Sequence, residues 1–401
     1  MITTQYIEKI GQQFHNNFTH NHVVLYAGAN IPSEKMLRLM GTTLGSMPAM
    51  GYGPSKVQPG VTEISELEII TETLAMELFH GDWAEVKFPS CTLANLAIYL
   101  SVCSPGDTIA VTPAYAGGHV SHQAHGAPAF NGLQVIELAF DNLKQIPDDQ
   151  RSAELIRQHR PRLLMLGASY TPFSYPFEQM LAAAREVQAT VVYDVAHVAG
   201  LIAAGNFPNP LDAGADLITM STYKSLGGPA GGMIIGKNHS AELKDLLRAA
   251  AYPKMLANYD ASRVAALAVA LADMRDYGKA YAQEMCQNAT ALKDALRGTG
   301  LEVLETATHH LTLPFAQPEY VSRLLEKVGI ITGTTSVAGQ THTHALRLGT
   351  QLVTRRGMNS DDMKTLARLI HRAISGDDPM QLSEEVSEFA QSFTSLHFIS
   401  T

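Results

Sequence analysis

Between residues 84 and 221, short apolar runs alternate with segments of helical periodicity. The runs AEVKFP (84–89), DTIAVT (107–112), QVIELAF (134–140), RLLMLG (162–167), TVVYDV (190–195) and DLITMS (216–221) have the length and composition of buried strands. TLANLAIYLSVC (92–103) and EQMLAAAREVQ (178–188) repeat their apolar positions every three to four residues and predict helices. Strands alternating with helices build a mostly parallel sheet, and such sheets carry their ligands at the carboxyl ends of the strands.

After Lys237 the texture changes. Residues 260–298 are long, Ala-rich and helical. They precede LEVLE (301–305), HLTLPF (310–315), a helix over 319–329, the strand HALRLG (344–349) and two closing helices after Asn359. This predicts a large α/β domain over 46–265, a connecting helix with a smaller α+β domain over 266–401, and an N-terminal arm over 1–45. The domain boundary falls near 250–275.

Composition narrows the function classes. A net charge of −9 argues against a nucleic-acid partner or an anionic membrane. Three cysteines, Cys91, Cys103 and Cys286, do not suggest a disulfide framework, and no apolar run is long enough to span a membrane. A cytoplasmic enzyme with a small-molecule substrate is the expectation.

Candidate chemistry sits where strands are predicted to end. Lys224 follows DLITMSTY and precedes GGPAGG, whose glycines permit close backbone approach to a ligand. A partly buried lysine has a lowered pKa, which frees a nucleophilic amine for imine formation. Asp194 ends the strand TVVYD, with His197 three residues on; a carboxylate there can keep a pyridine nitrogen protonated. Taken alone, that pair also reads as a helix-capping aspartate with a core histidine. Ser90, Cys91 and Thr92 lie between a strand and a helix, as a helix cap or a phosphate site. His119, His122 and His125 follow another strand. With His342 and His344 they admit a metal-site reading, disfavoured because a Gly-bearing loop carries the first three. GGMIIGKN (231–238) approaches a phosphate-binding loop, but GMIIG reads as strand.

Residues 192–236, VYDVAHVAGLIAAGNFPNPLDAGADLITMSTYKSLGGPAGGMIIG, resemble the cofactor segment of serine hydroxymethyltransferases. AYAGGHVSHQAHG (114–126) and ALRLGTQLVTRRG (345–357) resemble two further motifs of that family, and the likeness runs from about Leu25 to Gly357. The resemblance implies a fold-type-I enzyme dependent on pyridoxal 5′-phosphate, with a seven-stranded-type sheet, and a homodimer (or dimer of dimers) with shared active sites. Carried over, it makes Lys224 the cofactor lysine, Asp194 the partner of the pyridine nitrogen and His119 the group stacked on the ring. His197 and Ser169 flank the phenolic oxygen, Ser90, Cys91 and Thr92 hold the phosphate, and Arg347 grips the substrate carboxylate. Gly28 and Tyr52 fall on the substrate side, and His119, His122 and Tyr223 are candidate proton carriers.

The departures from the family pattern are specific. LYAGAN (25–30) stands where the family has LIASEN, so Gly28 and Ala29 replace a serine and a glutamate. PAMGYGPSKVQPG (48–60) puts Met50 in place of the family's catalytic glutamate, and Val57 and Gln58 in place of a tyrosine pair. Tyr223 replaces a histidine, and PKMLANYD (253–260) replaces a glycine-rich stretch. Methionine carries no proton, so the expectation is a folate-independent aldolase or transaldolase acting on a β-hydroxy-α-amino acid. Transamination, racemisation, elimination, true hydroxymethyl transfer and a non-catalytic cofactor-binding role remain open alternatives.

Overall fold

The computed structural model describes residues 2–338 and 344–400. Helix α1 (Thr4–Asn16) and strand β1 (Val23–Val24) come first, then helix α2 (Thr62–Phe79). The main sheet follows as β2 (Trp83–Glu85), β3 (Thr108–Val111), β4 (Gln134–Glu137), β5 (Leu163–Leu166), β6 (Thr190–Asp194), β7 (Leu217–Ser221) and β8 (Gly232–Gly236). Helix α3 (Cys91–Val102) links β2 to β3, and α4 (Glu178–Val187) links β5 to β6. The strands lie in the order β2-β8-β7-β6-β5-β3-β4. From β7 to β4 the neighbours are parallel, whereas β8 runs against both β7 and β2. Every residue of β5, β7 and β8 is buried, as expected of strands covered on both faces.

Two predicted strands are shorter than expected. The run 84–89 leaves the ladder after Glu85, where the Lys87 N–H turns to the Glu85 carboxylate at 2.9 Å and Pro89 has no N–H to offer. The run 134–140 ends at Glu137, and Phe140–Asp141 pairs instead with Ile146–Pro147 in a hairpin. The expected strand GMIIG is β8, an antiparallel strand with no loop to receive a phosphate.

Helix α5 (Ala261–Gly298) starts where the Asp260 carboxylate accepts the Ser262 and Arg263 N–H groups. Its early turns carry Val264, Leu267, Leu271, Met274 and Met285 into the main core. Its last turns carry Leu292 and Leu296 into a second core. That core surrounds the antiparallel sheet of β9 (His310–Pro314), β11 (Gly333–Ser336) and β12 (His344–Gly349), with α6 (Pro318–Lys327), α7 (Ser360–Ser375) and α8 (Pro379–Gln391) around it. A capping box at Asn359 and Asp362 starts α7. Strand β10 (Ile330–Ile331) pairs in parallel with β1, so Val23 and Leu25 of the expected arm belong to the second core.

A buried ion network fastens α2 to the edge of the main sheet. The Lys87 ammonium lies 2.7 Å from Glu68, 3.6 Å from Glu85 and 3.9 Å from the centre of the Tyr52 ring. Lys56 bonds to the second Glu68 oxygen, and the Tyr259 hydroxyl donates to it at 2.7 Å. Burial alone would raise the Glu68 pKa; Lys87 and Lys56 outweigh it and hold the group below its usual range. Removing one member leaves charge uncompensated in a medium that cannot solvate it. Glu68→Gln is therefore expected to lower the unfolding free energy by about 3–5 kcal/mol, read from the urea transition; a loss below about 1 kcal/mol would show the network to be dispensable.

Candidate active site

The carboxyl ends of β5, β6 and β7 and the N-terminus of α3 converge on one recess. Ser90, Cys91, Thr92, His119, His122 and Ser169 line it on one side, and Asp194, His197, Tyr223 and Lys224 complete it. Residues up to 134 positions apart in the chain thus meet because a parallel sheet brings its loops to one edge.

Lys224 follows β7 and is almost fully buried. Its Nζ lies 3.0 Å from His197 Nε2. Burial pulls its pKa from 10.5 to about 8, with Asp194 opposing and Arg347 adding to the shift. Its backbone is held as well: the Asn30 side chain donates to the Lys224 carbonyl at 2.9 Å, and Ser225 Oγ donates to the His197 carbonyl at 2.9 Å.

Asp194 closes β6. One carboxylate oxygen lies 3.1 Å from His122 Nε2 and accepts from Asn95 Nδ2 at 3.0 Å; the other accepts the Ala196 N–H at 3.0 Å. Burial alone would raise its pKa, but the hydrogen bond and charge of His122 hold the carboxyl well below the usual range. An anion is therefore kept at the end of the strand. His122 is fully buried against it, so its imidazole faces Asp194, not a substrate. The Cys91 thiol, 3.5 Å from Asp194, is pushed well up by burial and by that carboxylate, and stays protonated.

Ser90 caps α3, its hydroxyl accepting the Leu93 N–H at 3.2 Å. The N–H groups of Cys91 and Thr92 belong to the first turn, where a helix supplies no acceptor. A Cβ on Gly232 of β8 would sit 2.3 Å from the Ser90 carbonyl, so glycine there is what lets the cap lie against the sheet.

His119 takes Ser121 as its partner: the Ser121 N–H donates to Nδ1 at 3.2 Å, and Ser121 Oγ lies 2.7 Å from the same atom. Burial lowers its pKa to about 4, so the ring is neutral and carries its proton on Nε2. With Nδ1 accepting from Ser121, His119 meets the recess as a hydrogen-bond donor.

Arg347 enters from β12 of the second core. Its Nη1 donates to the Ser169 carbonyl at 2.6 Å, and its Nε is buried without a partner. Gly28 lies on the same side, against the Tyr26 ring. Tyr52 is not brought to Lys224 within one chain. Its ring is drawn over the Lys87 ammonium, and its hydroxyl lies 2.8 Å from Glu85 and 2.7 Å from the Arg248 carbonyl. Of the histidines weighed as metal ligands, His342 lies outside the described residues and His344 is exposed on β12.

Sequence reasoning missed several members. Asn95, buried on α3, supports Asp194, and the signal available was an asparagine on an apolar helix face. The rings of His309 and His310 lie 4.1 Å apart, tilted by 40°, and the His197 ring is 5.3 Å from that of His310. All four nitrogens of the pair are buried without partners, and burial keeps both rings neutral. The pair HH at the head of β9 was the available sign.

These residues fit pyridoxal phosphate. An anionic Asp194 suits a protonated pyridine nitrogen, the open N–H groups of α3 suit a phosphate, and a lysine drawn down to about 8 suits an aldehyde. The partnerless Nδ1 of His197 offers one more polar contact in the same recess.

Comparison with known proteins agrees. The family model described as serine hydroxymethyltransferase matches residues 5–370. An alpha-methylserine aldolase from a Ralstonia species is 34% identical over 94% of this chain and 88% of its own length. One from Variovorax paradoxus is 36% identical over 92% of this chain and 86% of its own. The serine hydroxymethyltransferase of Thermococcus onnurineus is 32% identical over 96% of this chain and 93% of its own. The fold is also that of a crystal structure of L-threonine transaldolase from Pseudomonas fluorescens, with a TM-score of 0.92, 23% identity and coverage of 98% and 93%. A recess built around a buried lysine and a buried aspartate, in a chain matched nearly end to end, identifies a member of the serine hydroxymethyltransferase family, a pyridoxal-phosphate enzyme of fold type I acting on amino acids.

Proposed function

We propose that the protein is a folate-independent aldolase or transaldolase that breaks or forms the Cα–Cβ bond of a β-hydroxy-α-amino acid, with α-methylserine-like and threonine-like compounds as the substrate class. One observation carries this reading. Among the described residues lining the recess, the one carboxylate is Asp194, which His122 and Asn95 engage, and Met50 stands where the family motif has its catalytic glutamate. In one chain, the described residues lining the recess thus offer no uncommitted carboxylate for the proton transfers of folate chemistry. The relatives named alpha-methylserine aldolase, up to 36% identical, support the same reading.

When bound, pyridoxal phosphate supplies the aldehyde that Lys224 holds and the ring that accepts the electron pair left on Cα. The protein's residues do the rest. Arg347 takes the carboxylate as a two-pronged partner, which fixes the plane of the amino acid and favours cleavage of Cα–Cβ over loss of carbon dioxide. As Cα–Cβ breaks, the β-hydroxyl loses its proton and an aldehyde departs. His119 Nε2–H donates to the aldehyde oxygen. The Lys224 amine, near 8, is better matched to take the hydroxyl proton at neutral pH than Tyr223, whose pKa is raised by burial. Cα, left with the bonding electron pair, then takes up a proton, giving the shortened amino acid.

The dimer belongs to this proposal. Helix α1 buries none of its residues and lines up Ile7, Ile10 and Phe14, each more than half exposed, on one face. A second copy covering that face accounts for the row. No helix among the described residues is long and apolar enough to cross a membrane, which is in keeping with a cytoplasmic enzyme.

Three outcomes test these statements. Incubated with α-methylserine or threonine, the holoenzyme should release aldehyde at a rate that added tetrahydrofolate does not change; turnover that requires tetrahydrofolate would sink the proposal. Capture of pyridoxal phosphate by the cofactor-free protein needs the neutral Lys224 amine. Its rate should therefore rise with pH and level off above about 8, where an unperturbed lysine near 10.5 would keep rising; stopped-flow absorbance reads this. Ile10→Glu combined with Phe14→Glu should shift the sedimenting species from dimer toward monomer. An unchanged boundary would remove α1 from the interface.

A further inference from the structure

Tyr26 stands directly after β1, and its backbone is fixed on both sides. The Leu25 N–H donates to the Ile331 carbonyl at 2.8 Å, and the Leu25 carbonyl accepts the Gly349 N–H at 2.8 Å. The Tyr26 carbonyl accepts from the Gln351 side chain at 3.0 Å and from the Ala29 N–H at 3.1 Å. The strand pairings thus place the ring on the Arg347 side, where it lines a surface cleft with Glu319, Arg323 and Gly333.

Two glycines make room for that ring. A Cβ on Gly28 would lie 2.8 Å from Tyr26 Cε1, and a Cβ on Gly333 would lie 2.7 Å from Cε2. Neither glycine has a left-handed backbone, so the chain path does not demand glycine at either position; the ring does. Gly333 is the residue opposite Arg347 in the β11–β12 ladder. The ring that rests on Gly333 therefore lies beside the guanidinium, 5.9 Å from its Cζ to the ring centre. That is within the roughly 6 Å reach of a cation–π contact. Tyr26 is 40% exposed whereas Arg347 is 6% exposed, so the tyrosine meets water and the arginine behind it does not.

We propose that Tyr26, seated in the slot formed by Gly28 and Gly333, is a positioning residue for Arg347: it fixes the guanidinium and keeps water from it, and so tightens the site for the substrate carboxylate. A guanidinium shielded from water attracts a carboxylate more strongly than a solvated one, and one held by Ser169 and an aromatic face loses less freedom on binding. Glycine at position 28, where the family motif has serine, is the change that admits the ring.

The inference rests on Arg347 as the carboxylate site, and the experiment separates the two. Holoenzyme is titrated with glycine and with methylamine, which lacks the carboxylate, while the cofactor absorbance is followed. Tyr26→Ala should weaken glycine binding about tenfold and leave methylamine within about twofold, a cation–π contact with its desolvation being of that size. Tyr26→Phe keeps the ring but removes the hydroxyl that bonds to Arg347, and should fall between wild type and Tyr26→Ala, whereas Gly28→Val, which expels the ring, should match Tyr26→Ala. Should Tyr26→Ala fail to fold, Tyr26→Leu carries the same comparison. Equal weakening of glycine and methylamine would overturn the proposal in favour of a structural role. Weak glycine binding by Arg347→Lys with unchanged binding by Tyr26→Ala would overturn the role of Tyr26 alone. Unchanged glycine binding by Arg347→Lys would overturn the carboxylate site itself.

Discussion

The site depends on an anion sealed at the end of a strand. Asp194 is buried, and burial alone would neutralise it. Asn95, His122 and the Ala196 N–H together supply what water would have supplied. The same carboxylate opposes the loss of charge at Lys224, whose pKa nevertheless falls to about 8. Two buried groups of opposite tendency are thereby kept in one recess, one held as an anion and one with its charge drawn down toward the neutral range. Divergent environments for neighbouring titratable groups are the means by which a site runs acid and base chemistry near pH 7.

The histidines show how partners assign roles. His119, His122 and His125 repeat every third residue and look equivalent in the chain. In the fold, His122 is spent on Asp194, and His119 is oriented by Ser121 with its remaining proton toward the recess. The difference arises from contacts across the sheet and from a short turn, neither of which spacing alone conveys.

Much of the α/β architecture could be read from local pattern, because buried strands and amphipathic helices carry their periodicity with them. The strands ending at Asp194 and Ser221 and the residues just beyond them were legible for that reason. The parts that were not legible depend on distant partners. Strand β1 is two residues long and exists because β10 lies beside it. Tyr52 has a motif position that suggests substrate, yet a buried ammonium from another element claims its ring. Asn95 and the His309–His310 pair have no neighbours in the chain that announce them; what defines them is the recess behind β6 and β7. Departures such as Met50 and Gly28 were visible, but a missing side chain acquires meaning only from what fills or lines the space it leaves.

Helix α5 has its early turns in one core and its last turns in the other. At 1.5 Å per residue its 38 residues are about 57 Å long. Lys224 belongs to the first core and Arg347 to the second. The two bodies meet where the Arg347 guanidinium donates to the Ser169 carbonyl of the first at 2.6 Å. Amine and guanidinium are thus set by separately packed cores, and the span between them is fixed by how those cores meet rather than by either core alone.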